Sequence, residues 1–191
     1  DSALSVDSLH TLSFSEGIYN GIITVSSLGD SVGSDNFGNN SYLRNFEISN
    51  DIYSLDGIGN HPTGYEVLAS TGTNSFNNAS DGVICATMYP FLNNDTINSV
   101  RALISSTTVE NSEVILYIVD STNFIAGMFG AAMYTSDLYV VNSSDIANGY
   151  IEIPVEIQTN NGTESLPVPP GKYYAALELY SGGNTYDIRI I

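Results

Sequence analysis

The sequence predicts an all-β protein folded as an antiparallel β-sandwich. Stretches with apolar residues at helical spacing are scarce, whereas short stretches of alternating apolar and polar residues are frequent. Gly, Asn, Ser and Thr recur between those stretches, as they do in the turns that join neighbouring strands. Hydrophobic residues make up 42% of the 191-residue chain, which is enough for a substantial core.

The clearest alternation lies at residues 97–105 and 150–155. Because side chains in a strand point to opposite faces in turn, every second residue there should face the core. The inward residues predicted on this basis are Val100, Ala102, Ile104, Ile151, Ile153 and Val155.

Further strands are predicted at residues 18–28, 42–48 and 83–91. Residues 113–119 are apolar on both faces, which favours a central strand covered on both sides. Residues 123–134 fit either a helix or a packed loop, because two glycines interrupt the helical pattern.

The C-terminal part of the chain contains two more predicted strands, at residues 173–180 and 185–191. Residues 181–184, Ser-Gly-Gly-Asn, separate them and predict a hairpin connection. We expect Pro169-Pro170-Gly171 to form the turn that precedes the first of these strands.

A composition change near Asn50 predicts a boundary between two domains. Residues 1–49 contain two or three strands around a loop rich in Gly, Asn and Asp. Residues 50–191 carry a fuller set of strands and form the predicted main sandwich.

The charge balance excludes several classes of partner. The chain has 21 acidic residues and only 4 basic ones, for a formal net charge of −17. Nucleic acids and anionic membrane surfaces require clustered Lys and Arg, so neither is an expected partner. The longest apolar run, residues 114–119, is far shorter than the roughly 20 residues of a membrane-spanning helix, so membrane insertion is not expected.

Cys85 is the only cysteine, so the chain can form no internal disulfide. It lies in an apolar stretch and is interpreted as an inert core residue. A secreted protein without disulfides fits a bacterium better than the animal extracellular space. We interpret Asp1 as either a mature terminus or a cut point within a longer protein.

Catalysis is not predicted. His10 and His61 are the only histidines, and both lie in polar or loop-like stretches. The chain contains no nucleophile elbow, zinc-protease motif or phosphate-binding glycine loop. A pair of carboxylates for glycoside hydrolysis is not singled out by any spacing.

Seven segments resemble modules of long proteins that Bacteroidetes export through the type IX secretion system. The segments are residues 42–48, 51–57, 97–103, 114–120, 136–139, 149–154 and 170–178. The resemblance implies a jelly-roll-like sandwich, an extracellular or cell-surface location, and part of an Ig-like module in residues 1–49.

Structural Ca²⁺ is the predicted cofactor. The loop at residues 29–40 offers the oxygens of Asp30, Asp35 and Asn36, and Ca²⁺ prefers such ligands. A second candidate site joins Asp51 or Asp56 to Asp187, since modules of this kind often bind calcium where the first and last strands meet. An ordinary polar turn is the alternative interpretation for each loop.

O-glycosylation is a second prediction that follows from the resemblance. Asp followed by Ser or Thr and then an apolar residue is similar to the acceptor sequence of Bacteroidetes secreted proteins. The candidate acceptors are Ser2, Ser8, Ser31 and Thr96. Chance in a chain rich in Ser and Thr is the alternative explanation.

Three functions are compatible with these observations. The first is a non-catalytic extracellular module that acts as a spacer or an adhesive unit, tethered through a larger parent chain and bound to an unknown surface glycan or protein. The second is a carbohydrate-binding module of a secreted polysaccharide-degrading enzyme, for which 13 Tyr are available but no Trp. Tyr117, Tyr150, Tyr173 and Tyr174 lie within predicted strands, which favours packing over a sugar platform. The third is a self-associating fibre or capsid-like subunit.

Overall fold

A computed structural model describes residues 15–24, 41–54, 69–73, 81–125, 127 and 129–191. The chain forms two compact units, Asp1–Val67 and Leu68–Ile191. The sequence placed the boundary between residues 49 and 50. The backbone N–H of Asn50 donates to Glu16 Oε1 at 2.9 Å, which ties the residues after position 49 to the first unit.

The described part of the first unit is a hairpin of two antiparallel strands, β1 (Gly17–Thr24) and β2 (Ser41–Ile48). Both lie where strands were predicted, although residues 25–28 of the first prediction fall outside the described residues. Ile18 and Ile22 project from one face of β1 and are 59% and 69% exposed. Leu43 lies opposite Ile22 and is also exposed.

The described residues of the second unit form twelve strands, two short helices and a 3-10 turn at Phe129–Ala131. The strands are β3 (Thr71–Gly72), β4 (Val83–Phe91), β5 (Asp95–Ile97), β6 (Ser99–Leu103), β7 (Glu113–Asp120), β8 (Tyr134–Thr135), β9 (Tyr139–Val140), β10 (Tyr150–Pro154), β11 (Glu156–Thr159), β12 (Gly162–Val168), β13 (Gly171–Tyr180) and β14 (Arg189–Ile190). The helices are α1 (Ser121–Ile125) and α2 (Ser143–Asn148).

One layer of the second unit is a five-stranded antiparallel sheet, here called the large sheet. Its order is β4-β13-β7-β8, and β9 also pairs with β7. The central position predicted for residues 113–119 is confirmed, because β7 pairs with β13 on one side and with β8 and β9 on the other.

The second layer consists of short antiparallel pairings: β10 with β6, β12 with β11 and β5, and β14 with β3. Individual backbone contacts connect these strand pairs to one another. Ile104 forms an isolated bridge with Ile190, and the backbone N–H of Val155 donates to the carbonyl of Asn98 at 2.8 Å. We refer to this set of strands as the second layer.

The core lies between the two layers, and the predicted β-sandwich is confirmed. Ile104, Ile151, Ile153 and Val155 are all at most 3% exposed, as the alternation predicted, while Val100 and Ala102 are partly buried against the same cluster. The large sheet contributes Val114, Leu116, Ile118, Tyr173, Leu177 and Leu179, and the second layer and its connections add Leu166, Val168 and Ile188.

The hairpin predicted at residues 181–184 is wrong. Strand β13 pairs with β4 and β7, whereas β14 pairs with β3 in the other layer. Residues 181–188 therefore carry the chain from one layer to the other. Only residues 189–190 of the strand predicted at 185–191 pair as a strand. The Gly-Gly pair supplies positive φ angles, which a crossing loop uses as readily as a hairpin does.

Helix α2 was not predicted from the sequence. Asn142 caps it by accepting hydrogen bonds from the backbone N–H groups of Ser144 and Asp145, and the Asp145 carboxylate accepts from the N–H of Asn142 in return. Gly149 ends the helix in the left-handed conformation, with a φ of 76°. An Asn-x-x-Asp capping box followed by a terminal glycine is the signal that marks this helix.

Candidate functional site

The face of the large sheet that points away from the core carries a cluster of aromatic and acidic side chains. In β13, Tyr173, Leu177 and Leu179 face the core, so the intervening side chains point outward. Six residues, all partly buried, form this surface, here called the aromatic face: Tyr117, Phe124, Phe129, Tyr174, Glu178 and Tyr180.

The rings of the aromatic face contact one another. The Phe124 ring stacks on Tyr174 with centroids 3.8 Å apart and an interplanar angle of 7°. Phe129 meets both Phe124 and Tyr117 edge to face, with centroids 5.6 Å apart in each case. The result is a continuous, half-accessible aromatic surface of the kind that can stack on a flat apolar ligand or a sugar ring.

A carboxylate lies among these rings. The Tyr117 hydroxyl donates to Glu178 Oε2 at 2.7 Å. That hydrogen bond and then burial raise the pKa of Tyr117 to about 12. Burial, followed by hydrogen bonding to Glu178, also raises the pKa of Tyr180. The two phenols thus stay protonated near neutral pH and present Glu178 with hydrogen-bond donors.

Helix α1 is positioned by the residue that ends β7. The Asp120 carboxylate accepts hydrogen bonds from the backbone N–H groups of Thr122 and Asn123 at 3.0 and 3.1 Å, and from the Asn123 side-chain amide. Bonding to Asn123 and Thr122 lowers the pKa of Asp120. Because these bonds fix the first turn of α1, they place Phe124 over Tyr174.

The calcium sites predicted from the sequence are only partly described. Asp30, Asp35 and Asp56 lie outside the described residues. Asp51 is exposed in the first unit, whereas Asp187 belongs to the second unit. Within the described ranges, no group of three or more His, Cys, Asp and Glu side chains is placed to hold a metal ion.

Asp187 is already paired. The Thr73 hydroxyl donates to its Oδ1 at 2.6 Å, and Arg189 Nε donates to its Oδ2 at 2.8 Å. An adjacent guanidinium disfavours the approach of a second cation, so the paired carboxylate is a poor ligand in this arrangement. Calcium at the loop that contains Asp30 and Asp35, and calcium at Asp51 or Asp56 with Asp187, both stay predictions.

Of the four predicted O-glycosylation acceptors, only Thr96 is described. It lies in β5 opposite Pro167, with its side chain exposed while the neighbouring Ile97 packs against the core. A glycan on Thr96 would therefore project into solvent. Ser2, Ser8 and Ser31 lie outside the described residues, and so do His10 and His61.

Cys85 packs against the core from β4. It is half-buried, and burial raises the pKa of its thiol. A protonated thiol is a poor nucleophile, which agrees with its interpretation as an inert packing residue.

The four tyrosines assigned to packing divide into three environments. Tyr173 is buried in the core, with its ring edge-on to Phe91 at 5.8 Å. Tyr150 lies in the second layer beneath the Arg101 guanidinium, 4.4 Å from the ring centroid. Tyr117 and Tyr174 belong to the aromatic face. Alternation along β13 places Tyr174, Glu178 and Tyr180 on one face. This alternation was the sequence signal from which the aromatic face could have been predicted.

Neither helix among the described residues is long and apolar enough to cross a membrane. No protein-family model, curated protein or solved structure matches the chain.

Proposed function

We propose that the chain is a non-catalytic module of a secreted or cell-surface bacterial protein, and that it acts as a spacer or an adhesive unit. The acidic charge, the single half-buried cysteine and the sandwich fold support an extracellular module.

The described carboxyls with shifted pKa values support a non-catalytic role. Hydrogen bonds to backbone N–H groups lower the pKa of Asp81 and Asp120, and Arg101 lowers that of Glu152. Each of these groups is stabilised as a carboxylate by contacts that order a loop or a strand pair. A general acid needs the opposite shift, a pKa raised toward neutrality.

Adhesion is tested with beads that carry the purified chain, applied under flow to intact cells of the natural source. We expect more beads to be retained than beads coated with an unrelated acidic protein of similar net charge. Equal retention would contradict the adhesive role. Export is tested separately by intact mass measurement of the chain from its source. Added glycan mass would support export, whereas detection only inside intact cells would contradict it.

Carbohydrate recognition is the second candidate function, and the aromatic face is the observation that favours it. The stacked Phe124 and Tyr174 rings combine a flat apolar surface with the nearby Glu178 carboxylate, a pairing that suits a sugar ring. A glycan array tests it with Tyr174→Ala, matched by Tyr150→Ala on the second layer. Loss of binding in the first variant alone supports a sugar site, and equal behaviour of both contradicts it.

A further inference from the structure

Strand β4 lies at the edge of the large sheet. It pairs along its whole length with β13, from Val83 opposite Leu179 to Phe91 opposite Gly171. Between Val83 and Met88 it has no second strand partner within the described part of the chain. Ala86 and Thr87, at the middle of this segment, are exposed.

Pro90 indicates which backbone groups of β4 point away from β13. Proline has no N–H, so within a sheet it occupies positions where the nitrogen points away from the ladder. Pro90 pairs with Lys172 of β13, and on this argument it is a position whose backbone faces outward. Backbone direction alternates along a strand, so Ile84, Ala86 and Met88 also point their N–H and C=O groups outward.

The usual protection of an edge strand is missing from this segment. Edge strands are commonly blunted by charged side chains, whereas β4 contains none, although the chain carries 21 acidic residues. The uncharged segment Val83–Met88, which has no second strand partner among the described residues, is a template for strand addition.

Two carboxylates flank one end of this edge. Asp81 precedes β4 by two residues, and Glu178 lies opposite Ile84 on β13. Glu178 Oε1 reaches to 3.3 Å from where a Cβ on Gly82 would lie. The nearest lysine, Lys172, lies opposite Pro90 at the other end. The charge pattern favours a partner with basic side chains near Val83.

We propose that the Val83–Met88 edge of β4 captures an extended, basic peptide segment of another protein by strand addition. Backbone hydrogen bonds to Ile84, Ala86 and Met88 supply the pairing, and the carboxylates select for Lys or Arg. A second copy of this chain is disfavoured because each copy carries a net charge of −17. This inference does not depend on whether the aromatic face binds sugars.

The probe is a synthetic peptide of alternating Lys and Val, eight residues long and capped at both ends. We expect it to bind at least tenfold more tightly than the matching Glu-Val peptide in dilute salt. It should also slow hydrogen exchange at the amides of Ile84, Ala86 and Met88. A Lys-Val peptide N-methylated at alternate residues keeps the charge but loses the edge hydrogen bonds, and its affinity should fall at least tenfold.

Ala86→Pro removes an N–H that points away from β13, so it keeps the hydrogen bonds between β4 and β13. It should weaken Lys-Val binding at least tenfold. Ala86→Ser keeps the N–H and should bind as the wild type does. Equal binding of the N-methylated peptide would overturn the proposal, because binding would then be charge attraction alone. Exchange protection elsewhere, or self-association that protects β4 without peptide, would overturn it too. The N-methylated probe decides the question even if the proline variant fails to fold.

Discussion

The Asp81 carboxylate binds Ser181, a residue 100 positions later in the chain. Asp81 Oδ1 accepts from the Ser181 backbone N–H at 2.6 Å and from its hydroxyl at 2.7 Å, and Oδ2 accepts from the N–H of Gly183 at 3.0 Å. This one side chain therefore fixes the loop that carries the chain from β13 toward β14.

Replacing the Asp81 carboxylate should destabilise the loop that carries the chain from β13 toward β14. Asp81→Asn loses charge-assisted hydrogen bonds to the loop, and we expect the free energy of unfolding to fall by about 1 kcal/mol. This value is at the low end for hydrogen bonds to charged groups, because solvent screens an exposed carboxylate. Urea unfolding measures the change. Glu110→Gln, an exposed acid without such contacts, is the control and should alter stability by less than about 0.5 kcal/mol.

The same contact gives a pH dependence. Its hydrogen bonds to Ser181 hold the pKa of Asp81 below its ordinary value of 3.8. A depressed folded-state pKa means that the stabilisation is complete above pH 3.8 and disappears as the pH falls through the lower folded value. The stability difference between wild type and Asp81→Asn should therefore shrink below about pH 4. A difference independent of pH would contradict a charge-assisted bond.

Gly72 is predicted to be intolerant of any side chain. A Cβ at this position would lie 1.8 Å from the carbonyl oxygen of Ile188, so β3 could no longer pair closely with β14. We expect Gly72→Ala to cost about 3 kcal/mol of unfolding free energy. Gly130→Ala, where a Cβ meets nothing within 4 Å, is the control and should be near neutral. Equal midpoints in urea would exclude the close approach.

The pair Tyr117 and Glu178 should be energetically coupled. A double-mutant cycle with Tyr117→Phe and Glu178→Gln should give a coupling of about 1 kcal/mol. Tyr186→Phe, an exposed tyrosine, serves as the control. The pKa of about 12 predicts that Tyr117 ionises late in an alkaline titration. Because this folded-state pKa lies above the unfolded value of 10, the stabilisation is complete below pH 10 and disappears as the pH rises through 12.

The N-terminal cap of helix α2 should account for much of its stability. Asn142→Ala removes the acceptor for two backbone N–H groups, and we expect a loss of about 1 kcal/mol. Asn148→Ala makes the same chemical change at the other end of the helix, where the side chain caps nothing. A similar loss in both variants, measured by thermal unfolding, would argue against the capping box.

The predicted strands agree best with the structure where the local sequence alone determines which side chains are buried. Alternation with a period of two identified the buried faces of residues 97–105 and 150–155 because it reports burial directly. This alternation could not show which strands pair with each other. Ser181-Gly-Gly-Asn184 suits a hairpin and a crossing equally, and in the structure this loop binds the distant Asp81, a contact that the local sequence does not reveal.

The aromatic face was also harder to predict, because it depends on contacts between residues that are distant in the sequence. Sequence alternation separates Tyr173 from Tyr174 but does not say which face is covered by the second layer. Phe124 reaches Tyr174 only because Asp120 turns the chain into α1. The edge position of Val83–Met88 among the described strands is likewise a property of sheet order, which depends on contacts between residues far apart in sequence.

The pairing of Thr71 with Ile190 also determines how the second unit responds to force. Tension applied between residues 70 and 191 would pull both strands apart from the same end. The hydrogen bonds of Thr71, Gly72 and Thr73 to β14 and Ile188 would then break one after another, as in a zipper, rather than together as in shear. Each step opposes the load with a single contact. The pairing of β3 with β14 would therefore open at low tension, while the large sheet, which contains neither strand, is still intact.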